Sequence, residues 1–249
     1  MQSPPSAIDA LLAGEPALWR GWERREAGEG VASGHAALDT ALPAGGWSRG
    51  SVTELLVDAP GIGELSLLLP ALRALGADGG WLAFVNPPHL PYAPALANAG
   101  LVPERLLVVE SGADVDTLWA AEQLLRAGSI AAVVSWVGRS TQARQRRLQL
   151  AAEHGRALAF VYRPLCAREE HSPVGARIAL SLRDGLLSLE LVKVRGGRTG
   201  TVAIDPAAFD AAQGAEWPVH SPPPSTPPVP RPDRVVPITI GRSGDRSVV

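Results

Sequence analysis

The sequence predicts an α/β fold: a parallel or mixed β-sheet flanked by helices, with a late antiparallel hairpin and a disordered Pro-rich C-terminal tail. Three observations predict it. Short apolar runs alternate with longer amphipathic ones from Ser51 to Tyr162, as in a doubly wound sheet. Beyond Pro173 the runs turn strand-like and are joined by Asp184-Gly185 and Gly196-Gly197; Asp-Gly between alternating runs signals a hairpin. From about Pro218 the chain is rich in Pro and Ser, a composition too poor in apolar surface to order itself.

The elements follow in order. Residues 6–27 carry a short helix signal, with Ser6 as cap and Ile8, Leu11 and Leu12 at helical spacing, broken by Gly14 and Pro16. Gly28 to Gly34 reads as a linker. Ala36–Ala41 is a short helix, followed by a glycine turn and a strand over Ser51–Val57. Asp58 to Gly63 is a tight loop, and Leu65–Leu75 a buried helix. Trp81–Val85 is a strand, Tyr92–Ala99 a helix stopped by Gly100, and Leu106–Val109 a strand. Asp114–Ala127 is a helix capped by Asp114 or Asp116, with Leu118, Ala121, Leu124 and Leu125 on one face. Ile130–Val134 is a continuous apolar strand, as at the centre of a parallel sheet. Thr141–Glu153 is a helix and Ala157–Tyr162 a strand. Ala176–Arg183, Leu186–Val194 and Thr201–Ile204 complete the antiparallel part. Val235–Ile240 is an apolar island in the tail, either a strand for a partner's sheet edge or a loose end. The expected units are 1–33 (helical element and linker), 34–210 (core) and 211–249 (tail).

Composition narrows the function. Hydrophobic content of 46% against 19% charged residues implies a sizeable core, and a net charge of −2 gives no overall nucleic-acid signature. The single cysteine, Cys166, excludes an internal disulfide and fits a reducing compartment. The five histidines, His35, His89, His154, His171 and His220, lack paired ligand spacing, so no metal is expected. The first residues have no signal-peptide pattern, and no apolar run reaches the ~20 residues that span a bilayer. A cytoplasmic protein without cofactor is expected.

The loop at 58–65 carries the sharpest motif reading. A phosphate-gripping loop has the form G-x-x-x-x-G-K-[ST]. Here Asp58 takes the first Gly position, Gly61 lies within, Gly63 keeps the second Gly, Glu64 replaces the Lys and Leu65 the hydroxyl residue. A carboxylate stands where a cation should meet phosphate. The expectation is that Glu64 occupies the helix N-terminus in place of an anion.

The ordered segments Gly34, Leu38-Asp39, Leu42, Gly45-Gly46, Gly50 and Glu54, leading into this loop, resemble the entry to a RecA core. That resemblance implies a catalytic glutamate at Pro88 and a magnesium-binding acid at Ser135, both lost with the loop's lysine; ATP turnover is therefore not expected. With the Pro-rich tail and Leu191-Val-Lys-Val-Arg-Gly-Gly-Arg198, the chain is similar to the ImuA family. This implies a non-catalytic accessory of a damage-induced translesion complex, or mutasome, nucleoid-associated when engaged. Its implied partners are ImuB, an inactive Y-family polymerase relative, and an error-prone C-family polymerase, with RecA and single-stranded DNA as further partners. Two alternatives stay open: an active DNA-stimulated ATPase, and a cell-division inhibitor of the SulA type, which shares an inactive core of the same kind.

Two basic groups are candidate contacts to DNA or a partner. Arg139, Arg144, Arg146 and Arg147 gather at the start of the 141–153 helix, with Arg163 and Arg168 on the same expected edge. Lys193, Arg195 and Arg198 surround Gly196-Gly197. A solvated helix face and a solvent-facing hairpin tip are the plain alternatives. Trp136, just past a strand end, could stack on a base or pack in the core.

Overall fold

The computed structural model describes residues 29–59, 61–205 and 238–239. The expected 6–27 helix, Trp19, Trp22, Trp217, His220 and the rest of the tail lie outside them.

A short antiparallel pair, β1 (Gly30–Val31) and β2 (Trp47–Ser48), brackets helix α1 (Ala36–Ala41). The chain then builds a large sheet. Strand β3 (Ser51–Val57) leads through the loop to α2 (Leu69–Ala77), then β4 (Trp81–Val85), α3 (Ala93–Asn98) and β5 (Leu106–Glu110). Helix α4 (Asp114–Arg126), β6 (Ile130–Trp136), α5 (Gln142–Gly155) and β7 (Leu158–Pro164) follow. The last elements are β8 (Ala176–Arg183), β9 (Leu186–Val194), β10 (Gly200–Ile204) and β11 (Ile238–Thr239). Among the described residues the sheet has nine strands in the order β10-β9-β8-β3-β7-β6-β4-β5-β11. Pairing is parallel from β8 through β11 and antiparallel for β8–β9 and β9–β10. The fold is thus mixed α/β, with a large mixed sheet flanked by helices.

Strand periodicity sorts the core into two layers. Leu55, Leu82, Phe84, Phe160 and Ile178 face one side, with Leu38 of α1, Leu72 of α2 and Leu96 of α3. Their neighbours Val52, Ala83, Val133 and Ala159 face the other, under Leu118, Ala121 and Leu125 of α4 and Leu148 and Ala152 of α5. The small residues on that second face let α4 and α5 approach closely. A Cβ on Gly155 would overlap the carbonyl oxygen of Leu125, so only glycine fits where α5 ends against α4.

Three local expectations change. The 65–75 helix begins at Leu69, because Pro70 fits only a first turn; residues 64–68 form irregular turns. Neither Asp114 nor Asp116 caps α4, whose N-cap is Ala113. Asp114 instead accepts hydrogen bonds from the Gly138 N–H (2.9 Å) and the Arg139 N–H (2.8 Å), pinning the loop between β6 and α5. Within the tail expected to be disordered, Ile238–Thr239 forms a strand on this chain's own sheet.

Candidate functional site: two buried carboxylates on and beyond β3

The carboxyl ends of the parallel strands form one edge, reached by the 58–68 loop. Gly61 and Gly63 sit at φ 94° and 89°, a left-handed backbone that favours glycine. This turns the loop so that both carboxylate oxygens of Glu64 lie 3.0 Å from the Gly61 N–H. Glu64 is itself buried. The loop is closed on its own carboxylate, within a turn and not at the expected helix N-terminus, since the helix begins only at Leu69. An entering phosphate would meet that negative charge first. From β7, the Tyr162 hydroxyl donates to the Glu64 carbonyl oxygen at 2.6 Å. Burial, and secondarily the Glu64 charge, push the Tyr162 phenol well above its ordinary pKa, so it remains a donor. Trp136 stacks on Tyr162 with ring centroids 5.3 Å apart and meets Phe84 edge-on at 5.8 Å. Trp136 is therefore a packing residue that holds Tyr162 under the loop.

The second carboxylate, Glu54, belongs to the middle of β3 and faces the other side of the sheet. Its Oε1 lies 3.3 Å from Arg163 Nη1 and accepts from Gln145 Nε2 at 3.0 Å; its Oε2 accepts from Arg177 Nε at 2.7 Å. Glu54 and both arginines are essentially inaccessible to solvent. Arg163 reaches outward to Glu170 at 2.9 Å. Arg177 donates to the carbonyls of Ala167, Arg168 and Glu170, fastening the 3-10 turn Leu165–Glu169 that follows β7. Sequence reasoning misses this network. It assigns Arg163 to a basic surface, but alternation along β7 turns the side chain inward toward Glu54, where it cannot meet DNA. Arg168 is engaged by Glu190 in a bidentate pair at 2.6 and 2.7 Å.

The other basic residues divide. Arg147 pairs with the buried Glu122 at 2.8 Å, and Arg126 with the same carboxylate at 3.3 Å. Arg139 and Arg146 are exposed and Arg144 half-buried, and none of the three enters an ion pair among the described residues. Lys193 and Arg195 donate to the carbonyls of Ser172 and Pro173, so both fasten the 172–173 segment of their own chain. Burial, then repulsion from Arg195 and Arg177, lowers the Lys193 pKa. Arg198 is exposed. Asp58 and Pro88 are exposed, and Leu65 packs against the core. Ser135 is buried and donates to the Phe160 carbonyl at 3.3 Å. No group of three or more His, Cys, Asp or Glu side chains arranged to hold a metal ion occurs among the described residues. No helix among them is long and apolar enough to cross a membrane.

Comparison with known proteins decides between the readings. The model of the family "Cell division inhibitor SulA" matches residues 50–159, from the start of β3 into β7. SulA of Pectobacterium carotovorum is 30% identical over 134 residues, which cover 53% of this chain and 77% of that protein. The chain belongs to the SulA family. SulA of Photorhabdus laumondii is 32% identical over 111 residues; the match spans 63% of that protein's length and 45% of this chain. The crystal structure of SulA from Pseudomonas aeruginosa shares 31% identity, covering 45% of this chain and 97% of that one, with a TM-score of 0.39.

These findings overturn the ImuA resemblance. They also remove what it implied: the translesion complex, ImuB and the C-family polymerase as partners, and a decayed ATP-binding motif as the mark of that family. The cause is visible in the residues. The glycines and apolar positions from Gly34 to Leu65 report a strand, loop and helix, and so do not separate families that share a core of this kind. The two features that point to ImuA, the Pro-rich tail and Leu191–Arg198, lie outside the span that the family model matches.

Proposed function

We propose that this SulA-family chain is a damage-induced inhibitor of cell division that acts in the cytoplasm by binding the septum-forming GTPase FtsZ, without catalysis of its own. The family match carries the reading. The loop after β3 supports it, because Glu64 takes the Gly61 N–H that a nucleotide phosphate would need. Within the matched span, the most exposed large apolar side chains are Leu90 and Tyr92, at 70% and 71%, on the connection between β4 and α3. Aromatic and aliphatic side chains held in solvent are the anchors that protein interfaces use. The inhibitory contact is assigned to these two side chains. Residues 34–210 act as the inhibitory unit, and 1–33 and 211–249 are appended to it.

The test is FtsZ assembly, followed by light scattering with purified chain added. Stoichiometric suppression of filaments is expected, with no nucleotide hydrolysed by the chain alone. Leu90→Asp together with Tyr92→Asp should abolish the suppression while leaving the denaturation midpoint unchanged. Unaltered filament assembly in the presence of excess chain would refute the proposal.

A further inference from the structure

The antiparallel part of the sheet carries a cavity that the proposed function does not use. It lies wholly beyond residue 159, outside the span that the family model matches. Alternation along β8 turns Leu180 into the core and sends Ala179, Ser181 and Arg183 to the other side. On β9 it sends Leu187, Leu189 and Leu191 inward, and Ser188 and Glu190 outward. Register completes the surface. Ser188 stands opposite Ser181, while Glu190 stands between Ala179 of β8 and Thr201 of β10.

The polar face of an antiparallel sheet is ordinarily open to solvent. Here the 3-10 turn Leu165–Glu169 stands beside it and makes it concave. Leu165 and Ala179 give the cavity an apolar wall, and Arg168 reaches from the turn to Glu190. The volume is about 200 Å³. Since an apolar cavity of about 150 Å³ holds a benzene ring, this one has room for more than a bare phosphate.

The lining selects the ligand. Arg168 and Glu190 neutralise each other through their bidentate pair, whose hydrogen bonds lower the Glu190 pKa and keep it ionised. Arg183 adds to the field on Glu190 but makes no ion pair or hydrogen bond among the described residues. The hydroxyls of Ser181, Ser188 and Thr201 are bonded to no other described group either. Two guanidinium groups against one carboxylate repel a cation. One unmatched guanidinium and three idle hydroxyls are donors, and donors without acceptors suit an oxyanion. The two oxygens of a carboxylate would leave part of this set unused, whereas a phosphate monoester offers three.

We propose that this cavity binds a short phosphate monoester, with the phosphate on Arg183, Ser181 and Ser188 and the organic part against Leu165 and Ala179. The experiment titrates the full chain with glycerol 3-phosphate and follows backbone amide shifts. Saturable shifts are expected at 181–183, 188 and 201. Arg183→Gln, at an exposed position, should weaken binding about tenfold or more with no change in the denaturation midpoint. Undiminished binding by that variant would overturn the proposal. The same shifts produced by sodium chloride at matched ionic strength would also overturn it, because the effect would then be general screening. Inorganic phosphate is a second arm, and equal affinity for it would refute recognition of an ester. A phosphoserine peptide is the third; tighter binding than glycerol 3-phosphate would refute a small-molecule ligand in favour of a phosphorylated protein. FtsZ assembly enters none of these readouts, so failure of the proposed function leaves them unchanged.

Discussion

Glu54 and Glu64 are ten residues apart and both buried, yet they are satisfied in opposite ways. Glu64 takes a backbone N–H three residues before it. Glu54 takes two guanidinium groups from β7 and β8, 109 and 123 residues later in the chain. The loop carboxylate is a local device that shapes one turn. The strand carboxylate joins β3, β7, β8, α5 and the turn after β7 into one unit. Similar burial therefore carries very different weight, according to whether the partner is a neighbour or a distant strand.

The largest effect should come from breaking the distant pair. Glu54→Gln keeps the shape but leaves Arg177 charged and buried without a counter-ion and Arg163 with only its outward pair to Glu170, which costs about 3–5 kcal/mol. A urea denaturation midpoint measures it, and Glu54→Gln no more destabilising than Glu64→Gln would erase the distinction between the two sites. Next is Glu64→Ala, which frees the Gly61 N–H; a hydrogen bond to a charged group is worth about 1.5–3 kcal/mol. Its exchange signature should be confined to 58–68. Smaller still is Tyr162→Phe, at about 1 kcal/mol, since the ring stays packed on Trp136 and only the bond to the Glu64 carbonyl is lost. The smallest effect concerns pH. Burial, opposed in part by Asp39, lowers the His35 pKa in the fold. Below the ordinary value of 6.5 the unfolded chain then binds more protons than the folded one. Stability should fall as pH drops from there through the lowered folded value. His35→Gln should flatten that slope, as read from denaturation midpoints at successive pH values.

The same contrast explains what could be read from sequence. Elements set by neighbours were legible. The Asp184-Gly185 turn fixed β8 and β9 to the residue, and apolar periodicity placed α4 and β6 within two residues of their ends. The Glu64 geometry was legible only in part: a carboxylate turned onto its own loop is there, but it takes the Gly61 N–H of a turn and not a helix N-terminus, because the helix begins at Leu69. Partnerships across the sheet were not. A period-two pattern shows that Arg163 alternates with Tyr162, but not which face meets Glu54, and an arginine in a strand reads as surface until its counter-charge is known. Asp114 failed similarly: its position suits a cap, while its actual donors, the Gly138 and Arg139 amides, sit 24 and 25 residues away. Family identity was the hardest part. The residues that announced the core are those that many cores need, and the discriminating information lay in dispersed identities across 50–159.

The central place of β3 has a consequence for the making of the protein. Glu54 emerges from the ribosome long before its counter-charges. Arg177 follows 123 residues later, a delay of roughly 6–25 s at about 5–20 residues per second. A nascent chain ending before Arg163 holds β3, β4, β5 and β6 but has no guanidinium for the carboxylate in its middle. Closing the sheet on Glu54 early would strand a charge in oil. β3, beside the central strand of the finished sheet, should thus stay open until the last third of the chain arrives. Molecules truncated in that interval should be the ones that chaperones hold and proteases find.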